Sequence, residues 1–381
     1  MAACAGLDAS SSNLRTLDGH PLSPSQVDAD VTRLMRAGDV PGLAVALIRD
    51  GHVVYAHAYG FRDVTTQAPL QTDTVMYGAS LTKATFAYFV MQLVDEGRLD
   101  LDRPIAEYLP KPLPDYPHYA DLAGDPRWRA LTPRMLLDHT SGFANFAFME
   151  PDRKLRIHWQ PGSRYGYSGE GILLLQFVLE EGLHIDVGAE MQRRIFDRLG
   201  MTRTSLTWRD DFADNVAENY GADGIAVGHD HRSHVRAAGS MDTTLTDWST
   251  FLTAVARGEG LSARARAEMT RLQIAIDTPA QFPTLVQPRT GANAAIQLGY
   301  GLGWGVFETP YGHAFFKEGH DDGVANYALC VAPRRDCILL LSNSVRAEGI
   351  FKYLVDDLMG DTHLPWAWEG YTPYDQQAPH E

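Results

Sequence analysis

The first hundred residues alternate between helical and strand-like patterns. Apolar residues at helical spacing predict an amphipathic helix over residues 25–36. Gly42–Ile48 and His52–Tyr59 are rich in strand-forming residues, and the Asp50-Gly51 pair between them is a strong hairpin-turn signal. After the hairpin, apolar positions recur at helical spacing from Phe86 onward, so a long helix is expected there.

The middle of the chain differs from its last third. From about Thr132 to Glu268 the spacing is mostly helical, with Gly and Pro at the breaks. The last third returns to strand-forming runs and ends in one helical segment. The predicted strands are Leu302–Glu308, Ala314–Lys317, Asn326–Val331 and Cys337–Ser342, and the predicted helix covers 348–358.

Strand-forming segments at both ends, with helical segments between them, predict an α+β fold, an α/β sandwich. One antiparallel sheet built from both chain ends would be flanked by helices, with a mainly helical lobe inserted. We expect a single unit over residues 21–364, with an α/β lobe of about 21–100 and 290–364 and a helical lobe of about 101–289. Residues 1–20 are expected to form a flexible N-terminal segment, and 365–381 a C-terminal tail. A cleft between the lobes is the expected place for chemistry.

The composition of the chain argues against several classes of function. The 381 residues are 45% hydrophobic and 21% charged, as in an ordinary globular protein. A net charge of −15 without a basic stripe argues against nucleic-acid partners and against anionic membrane surfaces. No apolar run approaches the length of a membrane span.

The cysteines and the N-terminus carry weak signals. Three cysteines cannot make a disulfide framework. Cys330 and Cys337 flank a turn in a predicted hairpin and could face each other, but two small apolar strand residues are the preferred interpretation. Cys4 has no apolar h-region before it, so no signal peptide is predicted in this sequence.

Ser80-Leu-Thr-Lys83 is the most informative stretch of the chain. It lies at the start of the predicted long helix, where residues three apart share a face. A serine hydroxyl becomes a nucleophile when an unprotonated amine takes its proton. The alternative is a helix N-cap serine followed by a surface lysine.

Two further elements could complete a proton relay. Tyr167 lies in Gly166-Tyr-Ser-Gly169, and a tyrosine can act as a base where ammonium groups lower its pKa. Lys317-Glu318-Gly319 ends a predicted strand, where the lysine could hold the tyrosine's proton equilibrium or meet a carboxylate. The glycine would let substrate approach the strand. Taken singly, each has a purely structural alternative: Tyr167 as a buried tyrosine with a satisfied hydroxyl, and Lys317 as a lysine at the end of a strand.

Together, in this order and spacing, the three elements closely resemble the serine β-lactamase and penicillin-binding-protein superfamily. The nearer branch is the class C-like one, with D,D-peptidases, D-aminopeptidases and family VIII esterases. Supporting phrases cover most of the chain: Pro41-Gly-Leu-Ala-Val-Ala, Leu136-Leu-Asp-His-Thr-Ser-Gly-Phe, Ala237-Ala-Gly-Ser-Met-Asp-Thr-Thr and Tyr300-Gly-Leu-Gly-Trp.

The resemblance implies a role for each matching residue. Ser80 would be the acylated nucleophile, Lys83 its activating partner and Tyr167 the proton shuttle. Lys317 and Gly319 match the ends of the K-T-G motif of the family. The backbone N–H groups of Ser80 and His320 would then form the oxyanion hole. The superfamily's chemistry needs no metal or organic cofactor.

Two positions depart from the family pattern. Gly169 stands where the Y-x-N motif has asparagine, which removes an amide that would hold the substrate. Glu318 stands where the third motif has Thr or Ser, and an acidic side chain there should repel a substrate carboxylate. A competing register takes His320 as the start of an H-x-G motif, but it puts Asp322 in the glycine position, so Lys317 is preferred.

Other signals are set aside. His229, His231 and His234 are closely spaced as in zinc sites, but they lie in a polar run with no acidic or cysteine partner at a compelling spacing, so a surface loop is preferred. His139 is expected to be structural rather than a catalytic base. The aromatic tail from Pro365 should pack on the body or on a subunit neighbour.

The sequence therefore predicts a serine hydrolase acting through an acyl-enzyme on a small ester, amide or peptide substrate. Carboxylesterase or amidase-like activity ranks first, D,D-carboxypeptidase or D-aminopeptidase second, and β-lactamase third. The alternative from another class is a non-catalytic sensor of peptidoglycan fragments or penicillins. The oligomeric state stays open, and so does the compartment: analogy with cell-wall enzymes favours the periplasm or secretion, with the cytoplasm as the alternative.

Overall fold

One antiparallel sheet dominates the computed structural model, which describes residues 14–285 and 288–376. Within those residues the sheet has nine strands in the order β3-β2-β1-β11-β10-β9-β8-β7-β6. A separate pair, β4 with β5, links the segment before residue 80 to the middle of the chain. The strands are β1 Gly42–Arg49, β2 His52–Asp63, β3 Ala68–Pro69, β4 Met76–Tyr77, β5 Asp242–Thr243, β6 Ile274–Ala275, β7 Gly299–Tyr300, β8 Gly305–Thr309, β9 Gly312–Asp321, β10 Val324–Val331 and β11 Asp336–Ser342.

The helices are short in the middle of the chain and longer near its ends. They are α1 Pro24–Ala37, α2 Leu81–Asp95, α3 Pro133–Leu137, α4 Gly169–Phe177, α5 Val187–Met191, α6 Asp197–Leu199, α7 Leu245–Arg257, α8 Ala263–Thr270, α9 Glu348–Met359 and α10 Trp366–Glu369. The predicted fold class is confirmed, since β1 near the start pairs with β11 near the end. The small strand β6 lies within the segment expected to belong to the helical lobe.

The two faces of the sheet carry different helices because strand side chains alternate. On β1, Leu43, Val45 and Leu47 pack with α1 and α9 in one apolar cluster. Ala44 and Ala46 face the other way, toward a larger cluster that includes α2 and α7. Helix α2 is buried on nearly all sides, since it lies between the sheet and the helical lobe. This central helix begins at the candidate nucleophile.

The interpretation of Cys330 and Cys337 as two unlinked strand residues is wrong, because they form a disulfide. They are direct partners in the β10–β11 register, and the turn Ala332–Arg334 sets that register. The Cα atoms are 4.1 Å apart, so the side chains meet across the hairpin.

Both ends of the described chain pack on the body. In the segment expected to be flexible, residues 1–20, Leu14 and Leu17 are buried and Leu17 N donates to Met359 O at 2.8 Å; residues 1–13 lie outside the described residues. Of the two alternatives for the aromatic tail, packing on the body applies to its described part. Trp366 and Trp368 lie in the same cluster as α1 and α9.

Candidate active site

Ser80 lies in a tight turn between β4 and α2. Ala79 has φ of +45°, in the left-handed region that side chains disfavour, so the turn is strained just before Ser80. Leu81 N donates to Gly78 O at 3.0 Å, which closes the turn. Among the described residues the Ser80 side chain makes no helix-capping hydrogen bond, which argues against a mere N-cap serine.

Lys83 is the residue that contacts the Ser80 hydroxyl. Its Nζ lies 2.8 Å from Ser80 Oγ and 2.5 Å from Ala238 O. The side chain is 1% exposed. Burial, and then the positive charge of Lys317, holds the pKa of Lys83 well below its usual value. An unprotonated amine in this position can accept the serine proton.

Lys317 is buried as well, but it keeps its charge. Its Nζ donates to Glu318 Oε1 at 2.8 Å and to Glu318 O at 2.9 Å. Burial alone would lower its pKa, but the Glu318 carboxylate and Tyr167 outweigh burial and raise the pKa of Lys317. The pKa values of the two lysines are therefore shifted in opposite directions, which favours the neutral form of Lys83 and the cationic form of Lys317.

Tyr167 lies between these two lysines. Its hydroxyl accepts a hydrogen bond from Lys317 Nζ at 3.2 Å, and the Ser80 side chain is near enough to lower its pKa slightly. Lys83 Nζ and Lys317 Nζ lie 5.0 and 5.1 Å from the centre of its ring. Contrary to the expectation of a lowered pKa, burial outweighs the Lys317 charge, and the pKa of Tyr167 is raised. A raised pKa keeps the Tyr167 hydroxyl protonated at neutral pH, and the catalytic roles of Tyr167 and Lys83 stay predictions.

His139 holds the Tyr167 turn in place. Its Nδ1 accepts a hydrogen bond from Ser168 N at 3.2 Å, and its ring centre lies 4.4 Å from that of Tyr167. Burial, followed by the charges of Lys83 and Lys317, holds the pKa of His139 well below its usual value. A neutral, buried imidazole in this place is structural, as the sequence suggested.

Gly319 and His320 lie on β9 beside the Ser80 turn. A Cβ at position 319 would come within 2.6 Å of Gly78 O, so glycine is needed for the strand to approach the turn. His320 lies in register with Ala325 of β10, and its side chain is hydrogen-bonded to Glu348. An oxyanion hole made by the N–H groups of His320 and Ser80 stays a prediction.

Asn145 supplies a carboxamide that the sequence did not reveal. Its Oδ1 accepts a hydrogen bond from Gly169 N at 2.9 Å, and the residue lines the cleft. A side chain at position 169 would require the Phe146 ring to move, since a Cβ there would lie 2.4 Å from that ring. The amide missing at Gly169 is therefore present nearby on a different loop.

The cleft above Ser80 has a volume of about 570 Å³ and is lined by two chemically distinct sets of side chains. The apolar set, which we call the apolar wall, consists of Phe146, Phe148, Met149 and Phe282. The acidic set, which we call the acidic wall, consists of Glu318, Asp321, Asp322, Glu348 and Glu369. Arg236 also lines the cleft. Sequence reasoning missed Asn145, Gln281, Glu369 and Tyr371 as lining residues, because their positions depend on the tertiary fold.

The predicted site residues come together in one place. Ser80 is hydrogen-bonded to Lys83, and Tyr167 to Lys317, and both lysine Nζ atoms lie about 5 Å from the centre of the Tyr167 ring. The three histidines of the polar run do not converge: His229 Nε2 contacts Asp242, His231 stacks on Trp208 and His234 contacts Ser233. Nowhere in residues 14–285 and 288–376 do three or more metal-binding side chains cluster.

A sequence profile of the beta-lactamase family matches residues 27–353, most of the chain. The chain belongs to the beta-lactamase family. The chain is also similar to curated proteins of stated activity. A D-aminopeptidase of Brucella anthropi is 29% identical over 187 residues, 48% of this chain and 36% of the relative. A lovastatin esterase of Penicillium rubens is 26% identical over 327 residues, 73% of this chain and 82% of the relative.

Solved structures share the fold of this beta-lactamase family member. The octameric penicillin-binding protein homologue of Pyrococcus abyssi aligns with a TM-score of 0.72 at 21% identity, over 90% of this chain and 78% of that one. A beta-lactamase/D-alanine carboxypeptidase of Pseudomonas syringae aligns with a TM-score of 0.68 at 18% identity, over 90% and 98%. In the part of the chain that the structure describes, no helix has the length and apolar character of a membrane span.

Proposed function

We propose that this protein hydrolyses carboxylic esters or amides through a covalent acyl-enzyme, with Ser80 as the nucleophile. The observation that carries the proposal is the 2.8 Å contact between Ser80 Oγ and the Nζ of a buried lysine, Lys83, at the floor of a cleft. A lysine held neutral by burial is a base placed where the serine proton must go.

The geometry supports the following steps. Ser80 Oγ attacks the substrate carbonyl carbon while its proton moves to Lys83 Nζ. The resulting oxyanion would accept hydrogen bonds from the N–H groups of Ser80 and His320, each worth about 3 kcal/mol in the transition state. Tyr167 donates its proton to the departing alcohol or amine and regains one from Lys83. Water then attacks the acyl-enzyme by the reverse proton path and releases the acid and free Ser80.

The cleft walls favour esters or amides with an apolar portion and no carboxylate near β9. The apolar wall of Phe146, Phe148, Met149 and Phe282 offers aromatic and thioether surface to an acyl chain or alcohol. Glu318 occupies the place of a hydroxyl residue and would repel a substrate carboxylate. These features rank carboxylesterase or amidase-like activity above D,D-carboxypeptidase and β-lactamase activity.

The experiment is hydrolysis of p-nitrophenyl butanoate by the wild type and by Ser80→Ala, with nitrocefin measured in parallel. The proposal expects Ser80-dependent turnover of the ester and little cleavage of nitrocefin. Fast nitrocefin cleavage would reverse the ranking of activities. Absence of Ser80-dependent turnover of both would contradict a general hydrolase and favour a sensor that binds without turnover.

A further inference from the structure

The acidic wall contains two carboxyl groups that are buried and only half satisfied. Glu318 and Glu369 are each 6% exposed, and both line the cleft. Glu318 Oε1 accepts hydrogen bonds from Lys317 Nζ at 2.8 Å and from Gln281 Nε2 at 3.0 Å. Glu369 Oε1 accepts one from Tyr327 at 2.7 Å. Among the described residues, Oε2 of each carboxyl group has no hydrogen-bond partner.

The fold brings these two groups together from distant parts of the chain. Glu318 on β9 is in register with Tyr327 on β10, so the two side chains share a face of the sheet. Tyr327 holds Glu369, which comes from α10 in the C-terminal tail. Burial and the neighbouring charge of Glu318 raise the pKa of Glu369 well above its usual value. The Glu318 and Glu369 side chains are thus joined through Tyr327, and the charge of Glu318 acts on Glu369.

The acidic groups at this end of the cleft outnumber the cations in contact with them among the described residues. A buried carboxylate oxygen without a hydrogen bond is destabilising, and each such atom calls for an explanation. Lys317 neutralises Glu318 on its Oε1 side, and His320 pairs with Glu348. Arg236 is exposed, and Lys83 is held neutral. The remaining negative groups at this end of the cleft, Asp321 and Asp322, add to the deficit of positive charge.

We infer that Glu318 and Glu369 form a subsite for a cationic group of the substrate, most simply a primary ammonium. An ammonium has three N–H donors. The free oxygens of Glu318 and Glu369 are two acceptors, and the Tyr371 hydroxyl, also without a partner among the described residues, is a third. A cation bound here would favour the ionised form of Glu369 and so lower its raised pKa.

The subsite lies near the reacting centre. Ser80, Tyr167 and Glu318 line the same cleft, and Lys317 Nζ links the Tyr167 hydroxyl to Glu318 Oε1 through contacts of 3.2 and 2.8 Å. A substrate with a positive charge a few bonds from its scissile carbonyl would place that charge in the subsite while the carbonyl lies at Ser80. The inference rests on the proposed function, because it assumes that the bond cleaved lies at Ser80.

The test compares substrates that differ only in charge. Alanine p-nitroanilide, in both enantiomers, is compared with isobutyryl p-nitroanilide, in which a methyl group replaces the ammonium. On the alcohol side, 2-aminoethyl acetate is compared with propyl acetate in a pH-stat. We expect kcat/KM in at least one pair to favour the cation by about tenfold or more in the wild type. Glu318→Gln and Glu369→Gln should each bring that ratio toward one.

The controls separate this inference from the proposed function. Glu107→Gln removes the same charge from an exposed site and should leave the ratio unchanged. Glu369→Gln keeps an acceptor for Tyr327, and melting temperatures verify that each variant folds. Calorimetric binding of the two p-nitroanilides and of the two acetates to Ser80→Ala measures the preference without turnover. A preference for the cation in binding upholds the subsite even if hydrolysis fails.

Two outcomes would overturn the subsite. One is Ser80-dependent hydrolysis of p-nitrophenyl butanoate with no preference for the cation in either pair. The other is a preference that survives in both glutamine variants. In each case the proposed hydrolase would stand without the cationic subsite. Equal binding of all four compounds to Ser80→Ala, with no turnover by the wild type, would contradict both the cationic subsite and the proposed hydrolase function.

Discussion

Gly319→Ala tests whether the close approach of β9 to the Ser80 turn sets the geometry of the site. The added Cβ would lie 2.6 Å from Gly78 O, 3.1 Å from Leu81 Cγ and 3.3 Å from Asn326 Nδ2. Relief of the first contact requires a displacement of roughly 0.5–1 Å in either the strand or the turn. Because Gly78 O accepts the hydrogen bond from Leu81 N, the turn cannot move without moving Ser80.

A displacement of this size should reduce kcat strongly while reducing the free energy of unfolding only moderately. A misplacement of about 1 Å at a reacting group can lower turnover about 100-fold, whereas overpacking typically costs about 1–3 kcal/mol of unfolding free energy. We therefore expect Gly319→Ala to fold and to hydrolyse p-nitrophenyl butanoate about 100-fold more slowly than the wild type.

The assay pairs initial rates with urea unfolding of the same preparations. Gly124→Ala is the matched control, since a Cβ there has no atom within 4 Å and the backbone is outside the left-handed region. The control should keep wild-type rates. Full activity in a folded Gly319→Ala would refute the argument that this contact positions Ser80, and so would an activity loss no larger than the unfolded fraction.

Three further predictions address the lysine base, the disulfide and the acidic wall. Because the folded pKa of Lys83 lies below the unfolded value of 10.5, the unfolded chain binds the extra proton, and this group's stability contribution falls as pH drops below 10.5. Lys83→Met should thus lower turnover by about 10²–10⁴-fold without lowering the melting temperature at pH 7. A lower melting temperature would contradict the argument that Lys83 is neutral in the folded protein. The double variant Cys330→Ala with Cys337→Ala should have a free energy of unfolding in urea about 2–3 kcal/mol lower than that of the wild type. Dithiothreitol should cause the same decrease in the wild type and none in the variant. Glu318→Thr should raise kcat/KM for nitrocefin at least about tenfold. A like charge about 4 Å from the nitrocefin carboxylate opposes binding by about 4 kcal/mol, of which Lys317 offsets a part. An unchanged kcat/KM would exclude repulsion of the carboxylate by Glu318.

The sheet and its helices were predictable because their signals are local. Alternation of apolar residues and the Asp50-Gly51 turn define the β1–β2 hairpin, in which both turn residues have positive φ. The contact of Ser80 with Lys83 follows from helical geometry alone, since residues three apart share a face. Tyr167 and Lys317 came from spacing and family resemblance, and the structure brings them to the same cleft.

What the sequence could not supply depends on tertiary contacts. The disulfide depends on a turn whose length puts Cys330 directly opposite Cys337. Asn145 and Glu369 reach the cleft from a loop and a tail whose paths no local pattern specifies. The raised pKa of Tyr167 depends on burial outweighing a nearby charge, and only the packed structure decides that balance.

The most direct test of the central claim is to locate the covalent adduct. The wild type and Ser80→Ala are incubated with a fluorophosphonate, digested and analysed by mass spectrometry. The account predicts one adduct, on the peptide that contains Ser80, with loss of ester hydrolysis in proportion to labelling and no adduct in Ser80→Ala. An adduct on another residue that abolishes hydrolysis, or full hydrolysis by Ser80→Ala, would contradict Ser80 as the nucleophile.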